Sequence, residues 1–137
     1  MTESAFKFLQ PAGWPKAKGY SNGIVASGKT IYVGGMVGWN VNEEFETDDF
    51  AAQFRQVLMN IVAVLNEAGA KPEHIVRMTW FIGDKKEYNA SLKEMGAAYR
   101  NIIGRHYPAM AVLQVSGFIE DGAKLEIEAT AVIPNEA

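Results

Sequence analysis

Residues 75–82, with the sequence IVRMTWFI, decide the fold that this chain is predicted to adopt. The stretch is rich in β-branched and aromatic residues, which favour a strand. Successive side chains of a strand point to opposite faces, and here both alternating sets hold large apolar residues. One set contains Val76, Met78, Trp80 and Ile82, and the other contains Ile75 and Phe81. A strand that is apolar on both faces is expected to be buried on both faces.

Two amphipathic helices are predicted on either side of this strand. The first covers residues 48–68, with apolar residues at helical spacing. Its apolar face consists of Phe50, Phe54, Val57, Leu58, Ile61, Val62 and Leu65. The Asp48-Asp49 pair favours its start, because the helix dipole attracts negative charge there, and Gly69 ends it. The second helix runs from about Glu87 to Ile103 and ends at Gly104. Its apolar face consists of Tyr88, Leu92, Met95, Tyr99, Ile102 and Ile103.

Further extended segments are predicted from β-type composition between turn residues. They are residues 22–27, 30–35, 37–39, 109–115 and 124–133. The first two flank Gly28-Lys29 and are expected to pair as a hairpin. The last two are connected through the Asp121-Gly122 turn, and residues 1–18 form an irregular lead-in. The chain 1–137 is therefore predicted to be a single domain with the order β-β-(β)-α-β-α-β-β.

This order predicts an α+β fold in which two helices lie on one face of a mixed sheet. The last strand indicates which face they cover, because its apolar and polar residues alternate. The apolar set is Leu125, Ile127, Ala129 and Ala131, and the polar set is Lys124, Glu126, Glu128 and Thr130. Two helices cannot also cover the second face, so another subunit is expected to do so.

Composition narrows the classes of function. The chain has 137 residues, a net charge of −3, no cysteine and only two histidines, His74 and His106. The lack of cysteine excludes thiolate nucleophiles, disulfides and thiolate metal sites, and two histidines make a multi-histidine metal centre unexpected. The absence of a basic excess disfavours nucleic-acid partners. No stretch has the pattern of a signal peptide or a membrane span, so a cytoplasmic protein without membrane contact is expected.

Six short motifs occur in a fixed order along the chain. They are Tyr20-Ser21-Asn22-Gly23, Ile31-Tyr32-Val33-Gly34-Gly35, Gln56-Val57-Leu58-x-Asn60, Ala68-Gly69-Ala70, Pro108-Ala109 and Leu125-Glu126-Ile127-Glu128-Ala129. This ordered set resembles the RidA/YjgF family. They span the chain from about Gly19 to Ile133. Members of this family are reactive-intermediate deaminases, which are often labelled endoribonuclease L-PSP or translation inhibitor.

The resemblance implies a chorismate-mutase-like fold and a homotrimer, in which three sheets form a central barrel with the helices outside. It also implies a small-molecule cleft at each subunit interface and an activity that needs no cofactor. That activity is the hydrolysis of enamines and imines, such as 2-aminoacrylate, to a keto acid and ammonia.

Several residues depart from the family pattern. The family arginine that follows the Pro-Ala pair binds the substrate carboxylate, whereas this chain has Met110 there. A thioether cannot form the paired hydrogen bonds that a guanidinium gives a carboxylate. Gly34 stands where active deaminases have serine, Gly96 where an asparagine is expected, and Val112 where cysteine or threonine is frequent.

The candidate site combines one acidic residue with a set of substrate contacts. By resemblance, Glu126 is the catalytic residue that positions the attacking water. The substrate contacts are Tyr20, Gly34, Gly35, Met110, Ala111 and Val112, and no metal site is predicted. Structural alternatives stand beside these roles: Glu126 as a solvated or paired strand residue, and Tyr20 and Met110 as packing residues.

Four other residues have two interpretations each. Trp39 and Trp80 are either core residues or platforms for a ligand. His106 is either a general base near the cleft or a loop histidine that caps the preceding helix. Arg105 lies five residues before Met110 in a loop, so it cannot replace the strand arginine, although it can reach a ligand from the rim.

Three functions follow from these observations. The first is a cofactor-free hydrolase of an enamine or imine that is neutral or aromatic, with Glu126 orienting water. The second is a non-catalytic small-molecule sensor or scavenger that uses the same cleft. The third, a ribonuclease or translation inhibitor, has the least support because the chain is acidic and has no pair of neighbouring histidines.

The two-sided apolar strand predicts an obligate oligomer. Light scattering at micromolar protein concentration is expected to give a mass that is a multiple of the 15.0 kDa chain. A monomeric mass under these conditions would contradict the prediction.

Overall fold

The fold is that of a computed structural model, which describes residues 6–135. Its strands are β1 (Lys7–Leu9), β2 (Gly23–Val25), β3 (Gly28–Val37), β4 (Ile75–Ile82), β5 (Ala109–Gln114) and β6 (Leu125–Pro134). Its α-helices are α1 (Phe50–Glu67), α2 (Lys85–Ala90) and α3 (Leu92–Ile102), and a short 3₁₀ helix covers Pro72–His74. The predicted α+β class is confirmed.

The main sheet has the strand order β3-β6-β4-β5. Strand β6 is antiparallel to both of its neighbours, and β4 is parallel to β5. The apolar face of β6 is buried as predicted, with Leu125, Ile127, Ala129 and Ala131 at most 5% exposed. Helices α1 and α3 pack on this face, so the helical layer covers one side of a mixed sheet. No helix in the described range is long and apolar enough to cross a membrane.

Helix α1 closely follows its prediction. Asp49 is the N-cap, and its carboxylate accepts a hydrogen bond from the backbone N–H of Ala52. Gly69 follows the helix with a φ of +73°, a left-handed conformation that glycine adopts without strain. Asn60 adds a tertiary contact, since its side-chain amide donates to the carbonyls of Val37 and Trp39.

The second predicted helix is divided into α2 and α3. Ser91 has φ −107° and ψ 4°, which interrupts the helical backbone between them. Periodicity alone missed this break, because the apolar spacing continues through it. Met95, Tyr99 and Ile103 of the predicted face are buried, whereas Leu92 is half exposed.

The predicted hairpin around Gly28-Lys29 is wrong. Strand β2 pairs instead with β1 in a separate two-stranded sheet, and β3 pairs with β6. Strand β6 offers β3 a ladder along nearly its whole length, which the short segment before Gly28 cannot match. Gly28 itself lies so close to the carbonyl of Ile133 that a side chain there would collide with it.

Two other extended segments differ from their predictions. Strand β1 falls within residues 1–18, of which residues 6–18 are described, so the lead-in is not wholly irregular. Val37 ends β3 and does not start a separate strand, since β3 continues past a register shift between Val33 and Met36.

A register shift also changes the faces of β4. The pairing with β6 shifts by one residue between Ile75 and Arg77, which is a β-bulge. As a result, Ile75 joins Met78, Trp80 and Ile82 on the helix-covered face, where all four are buried. The second face of the strand carries Arg77, Thr79 and Phe81, and is less apolar than strict alternation predicted.

The second face of the sheet still exposes large side chains. Tyr32 is 80% exposed and Leu113 is 46% exposed, and Phe81 is half-buried between their strands. The oligomer therefore stays a prediction, now based on these three side chains and no longer on Ile75.

A buried glutamine ties helix α1 to the loop before β6. The side-chain amide of Gln53 donates to the carbonyls of Thr47 and Gly122, both at 2.9 Å. Its carbonyl oxygen accepts from the backbone N–H of Lys124 at 2.8 Å. Gln53 is fully buried, so its three backbone partners obtain these hydrogen bonds from its side chain and not from water.

Replacing Gln53 by alanine is expected to lower the free energy of unfolding by about 3 kcal/mol, because three buried hydrogen bonds lose their partner. The matched control is Gln56→Ala on the same helix. Gln56 is half-buried and bonds only the side chain of Asn60, so a loss under about 1 kcal/mol is expected. Denaturant unfolding followed by tryptophan fluorescence measures both values, and equal losses would refute the role given to Gln53.

Candidate functional site

A cavity of about 480 Å³ lies between the helical layer and the edge strand β5. Helices α2 and α3 form one wall, β5 forms another, and the loop at residues 18–20 borders the opening. Its lining residues are Lys18, Gly19, Tyr20, Phe54, Trp80, Tyr88, Leu92, Met95, Gly96, Tyr99, Arg100, Tyr107, Met110 and Val112. The volume falls in the range of cavities that hold small organic ligands.

Aromatic rings form the inner part of this cavity. Phe54 and Trp80 meet edge to face with centroids 5.0 Å apart, and Tyr99 stacks on Tyr107 at 5.6 Å. Trp80 also contacts Tyr99 at 6.3 Å, which connects the two pairs. Rings that pack on one another in this way hold a fixed shape, so the cavity presents a preformed apolar surface.

The hydroxyl of Tyr99 is fixed inside this aromatic cluster. It donates a hydrogen bond to the backbone carbonyl of His106 at 2.5 Å. Burial and the neighbouring Tyr107 raise the pKa of Tyr99 well above its ordinary value. The hydroxyl is therefore protonated at neutral pH and acts as a donor, not as a base.

Trp80 leaves one polar atom without a partner. Its indole N–H is buried and makes no hydrogen bond to any residue in the range 6–135. Buried N–H groups are almost always bonded, so an unmatched one beside a cavity is notable. Trp80 is both a core residue, at 8% exposure, and part of the cavity wall.

Three of the predicted contact residues line the cavity together. Tyr20, Met110 and Val112 all contribute to its wall. The parallel register places Met110 beside Met78 and Val112 beside Trp80, which directs both residues of β5 toward the helical layer. Gly96, where the family pattern has an asparagine, lies in the same wall on α3.

The other predicted residues lie on the opposite face of the sheet. Glu126 pairs with Phe81 and Val37, which places it on the face away from the helices. Gly35 touches it, since a side chain at Gly35 would collide with the Glu126 carboxylate. Gly34 precedes this contact and has open space around its Cα.

Ala111 is also outside the cavity. It is exposed and pairs with Thr79 on the outer face. Within one chain, the predicted catalytic residue Glu126 and the predicted contacts Met110 and Val112 are thus separated by the sheet, and they do not form one site.

The side chain of His106 packs against strands β1 and β4. Its Nε2 contacts the carbonyl of Ile75 at 2.5 Å, and its ring meets Phe8 edge to face at 6.1 Å. His106 borders a second, shallower depression of about 350 Å³, which also includes Arg105. Neither residue lines the larger cavity. The helix-capping interpretation is replaced by a contact with the start of β4.

Sequence reasoning missed several cavity residues. Lys18 and Arg100 carry the two positive charges of the lining, and no acidic residue of the described range 6–135 lines it. Tyr88 and Tyr99 were assigned only to a core face, because a helical spacing cannot distinguish packing from a cavity wall. Trp39 packs on Phe45 at 5.7 Å and is not part of the lining.

Within the part of the chain that the structure describes, no group of three or more histidine or acidic side chains is close enough to hold a metal ion.

Comparison with known sequences gives a family and several relatives. Residues 13–133 match the family described as endoribonuclease L-PSP. The chain is 32% identical to the protein DfrA of Myxococcus xanthus, over 96% of this chain and 99% of that protein. It is 26% identical to the human 2-iminobutanoate/2-iminopropanoate deaminase, over 92% of this chain and 89% of the deaminase.

Comparison with solved structures gives the same family. A conserved Rid-family protein of unknown function from Yersinia pestis, YyfB, superposes with a TM-score of 0.84 at 28% identity, covering 94% of this chain and 99% of that chain. RidA from an Antarctic Psychrobacter superposes with a TM-score of 0.66 at 28% identity, covering 93% and 99%.

Proposed function

The chain belongs to the endoribonuclease L-PSP family, also called RidA/YjgF, and we propose that it hydrolyses an aromatic or otherwise apolar enamine or imine without a cofactor. The observation that carries the proposal is the aromatic cavity with Met110 in its wall. Relatives of this chain are named for deamination of 2-iminobutanoate and 2-iminopropanoate. Those substrates are small, whereas this cavity has room and rings for a larger apolar body.

Met110 is the reason to separate this substrate from small 2-imino acids. We place Met110 at the position of the family arginine, because it directly follows Pro108-Ala109. A carboxylate held against a thioether inside an apolar wall would lose its hydration without gaining a partner. A flexible and polarisable methionine instead favours contact with an aromatic ring.

The two halves of the site are proposed to meet between subunits. Glu126 and Gly35 lie on the exposed face of the sheet, and Tyr20, Met110 and Val112 line the cavity beside the edge strand β5. One chain cannot bring these groups together across its own sheet. A second copy can, by placing its outer sheet face against the edge of the first, as in the homotrimer that the family resemblance implies.

The chemistry then needs only water and one carboxylate. Water adds its oxygen to the imine carbon, and the nitrogen takes up protons and leaves as ammonia while the carbonyl forms. Glu126 of the neighbouring copy is proposed to orient this water and to accept its proton. An enamine enters the same route after protonation at carbon.

A non-catalytic binding protein is the second candidate. The loss of the polar groups at positions 34, 96, 110 and 112 favours it, because these positions are glycine, methionine and valine here. A ligand held in the aromatic cavity would not require Glu126 at all. A ribonuclease is not supported, since the cavity carries no acid–base pair of histidines.

Turnover of 2-aminoacrylate separates the two candidates from the usual deaminases. With 2-aminoacrylate generated by a coupled enzyme, the chain is expected to accelerate decay far less than an arginine-bearing relative. Met110→Arg is expected to raise the rate, because it restores a carboxylate partner. Fast turnover by the unaltered chain that Glu126→Gln abolishes would refute the assignment of Met110.

Filling the cavity tests whether it is the binding site. Gly96→Leu places a side chain in the wall, and leucine favours a helix more than glycine does, so folding is retained. Neutral aromatic ketones and enamines are expected to raise the melting temperature of the unaltered chain but not of Gly96→Leu.

The matched control for this experiment is Ala97→Leu, at the next position of α3. Ala97 is exposed and does not line the cavity, so its variant is expected to keep the ligand-induced shift. Equal shifts in all three proteins would place binding elsewhere.

A further inference from the structure

Arg100 is a charged residue of the cavity that the proposed chemistry does not use. It lies one helical turn after Gly96 on α3, and both residues line the cavity. A Cβ at position 96 would lie 3.1 Å from Nη1 of Arg100. The guanidinium therefore lies over the bare backbone of Gly96, beside the aromatic wall.

This guanidinium has no partner within residues 6–135. The one salt bridge of the described chain joins Lys124 to Glu87, and Arg55 on the neighbouring helix α1 bonds Asn101. Arg100 makes neither an ion pair nor a side-chain hydrogen bond there. Its donors are free to meet a group that enters the cavity.

The charges around the cavity favour an anion. Lys18 and Arg100 are its two charged lining residues, and among residues 6–135 no aspartate or glutamate lines the cavity to offset them. Both are exposed at the opening, whereas the interior consists of rings and methionine side chains. A ligand that fits this distribution has an apolar body and a negative group at its outer end.

Gly96 gives a reason for this placement. Glycine is among the least favourable residues in a helix interior, and α3 otherwise contains ordinary helix formers. A larger residue at this position would push Arg100 away from the wall or fill the space beneath it. The missing side chain of Gly96 therefore leaves space for the guanidinium of Arg100.

Resting on the proposed function, we propose that Arg100 binds the carboxylate of the ligand, and that the ligand class is an aromatic carboxylic acid. The planar guanidinium offers two parallel N–H donors, which match the two oxygens of a carboxylate. The positive charge that binds the anion thus belongs to Arg100 on α3, at the mouth of the cavity, and not to a residue of β5, where Met110 lies. The aromatic body occupies the space between Met110 and the stacked tyrosines.

Two stable probes of nearly equal shape test the proposal. They are 3-phenylpropanoate and its neutral amide, 3-phenylpropanamide, each titrated by calorimetry into the full-length protein. The acid is expected to bind about tenfold more tightly than the amide, because only the acid pairs with Arg100. Arg100→Gln is expected to reduce this ratio to about one while changing the affinity for the amide less than about twofold.

The matched control is Arg105→Gln, which removes an exposed arginine that borders the second depression and not the cavity. This variant is expected to keep the preference for the acid. Melting curves of both variants check that the fold is intact, as expected for exposed side chains.

The outcomes separate the two levels of inference. Equal binding of acid and amide by the unaltered chain, or a preference that survives Arg100→Gln, overturns the role of Arg100 and leaves the cavity as the binding site. Loss of the preference in Arg105→Gln overturns it as well. Binding of neither probe overturns the cavity proposal itself.

Discussion

Strand β6 is hydrogen-bonded along both of its edges, to β3 and to β4, and this double pairing holds the main sheet together. A strand in this position has to satisfy its backbone on both sides while burying one face beneath a helix. The small and branched residues Ala129, Ala131 and Ile127 allow helix α1 to pack closely on that face. In the main sheet, β4 next to β6 contributes Trp80 to the cavity wall, and β5 at the edge carries Met110.

The central strand also explains why the candidate residues are divided. Because side chains alternate along β6, Ile127 lies in the core and Glu126 lies on the outer face. Residues of β4 and β5 that are paired in the same ladder lie on the corresponding faces. Residues that the family resemblance assigns to one site therefore lie on opposite sides of one sheet. A site that uses both sides needs two copies of the chain, which links the proposed chemistry to the proposed assembly.

The chemical character of the cavity follows from residues of both walls. Met110 and Val112 make the strand wall apolar, and Gly96 contributes no side chain to the helix wall. The remaining charge is at the opening, on Lys18 and Arg100. This distribution of apolar surface and charge selects ligands by their shape and by the position of their charge. It differs from the distribution that an arginine on β5 would give.

Elements whose signals are local could be predicted from the amino-acid sequence. Helix α1 begins at its aspartate cap and ends at Gly69, and the alternation in β6 identifies its buried face, because both patterns arise from neighbouring residues. The ordered motifs also indicated the family, and Tyr20, Met110 and Val112 were predicted together and lie together.

The pairing of the strands and the faces of β4 are set by long-range contacts in the folded chain. The hairpin at Gly28 was lost because β6 offered β3 a longer ladder, and the bulge in β4 moved Ile75 into the core. Likewise, the position of Arg100 over Gly96 depends on a cavity that forms between α3 and β5. These features arise from competition between distant segments for the same hydrogen bonds and the same buried space, and no local pattern records that competition.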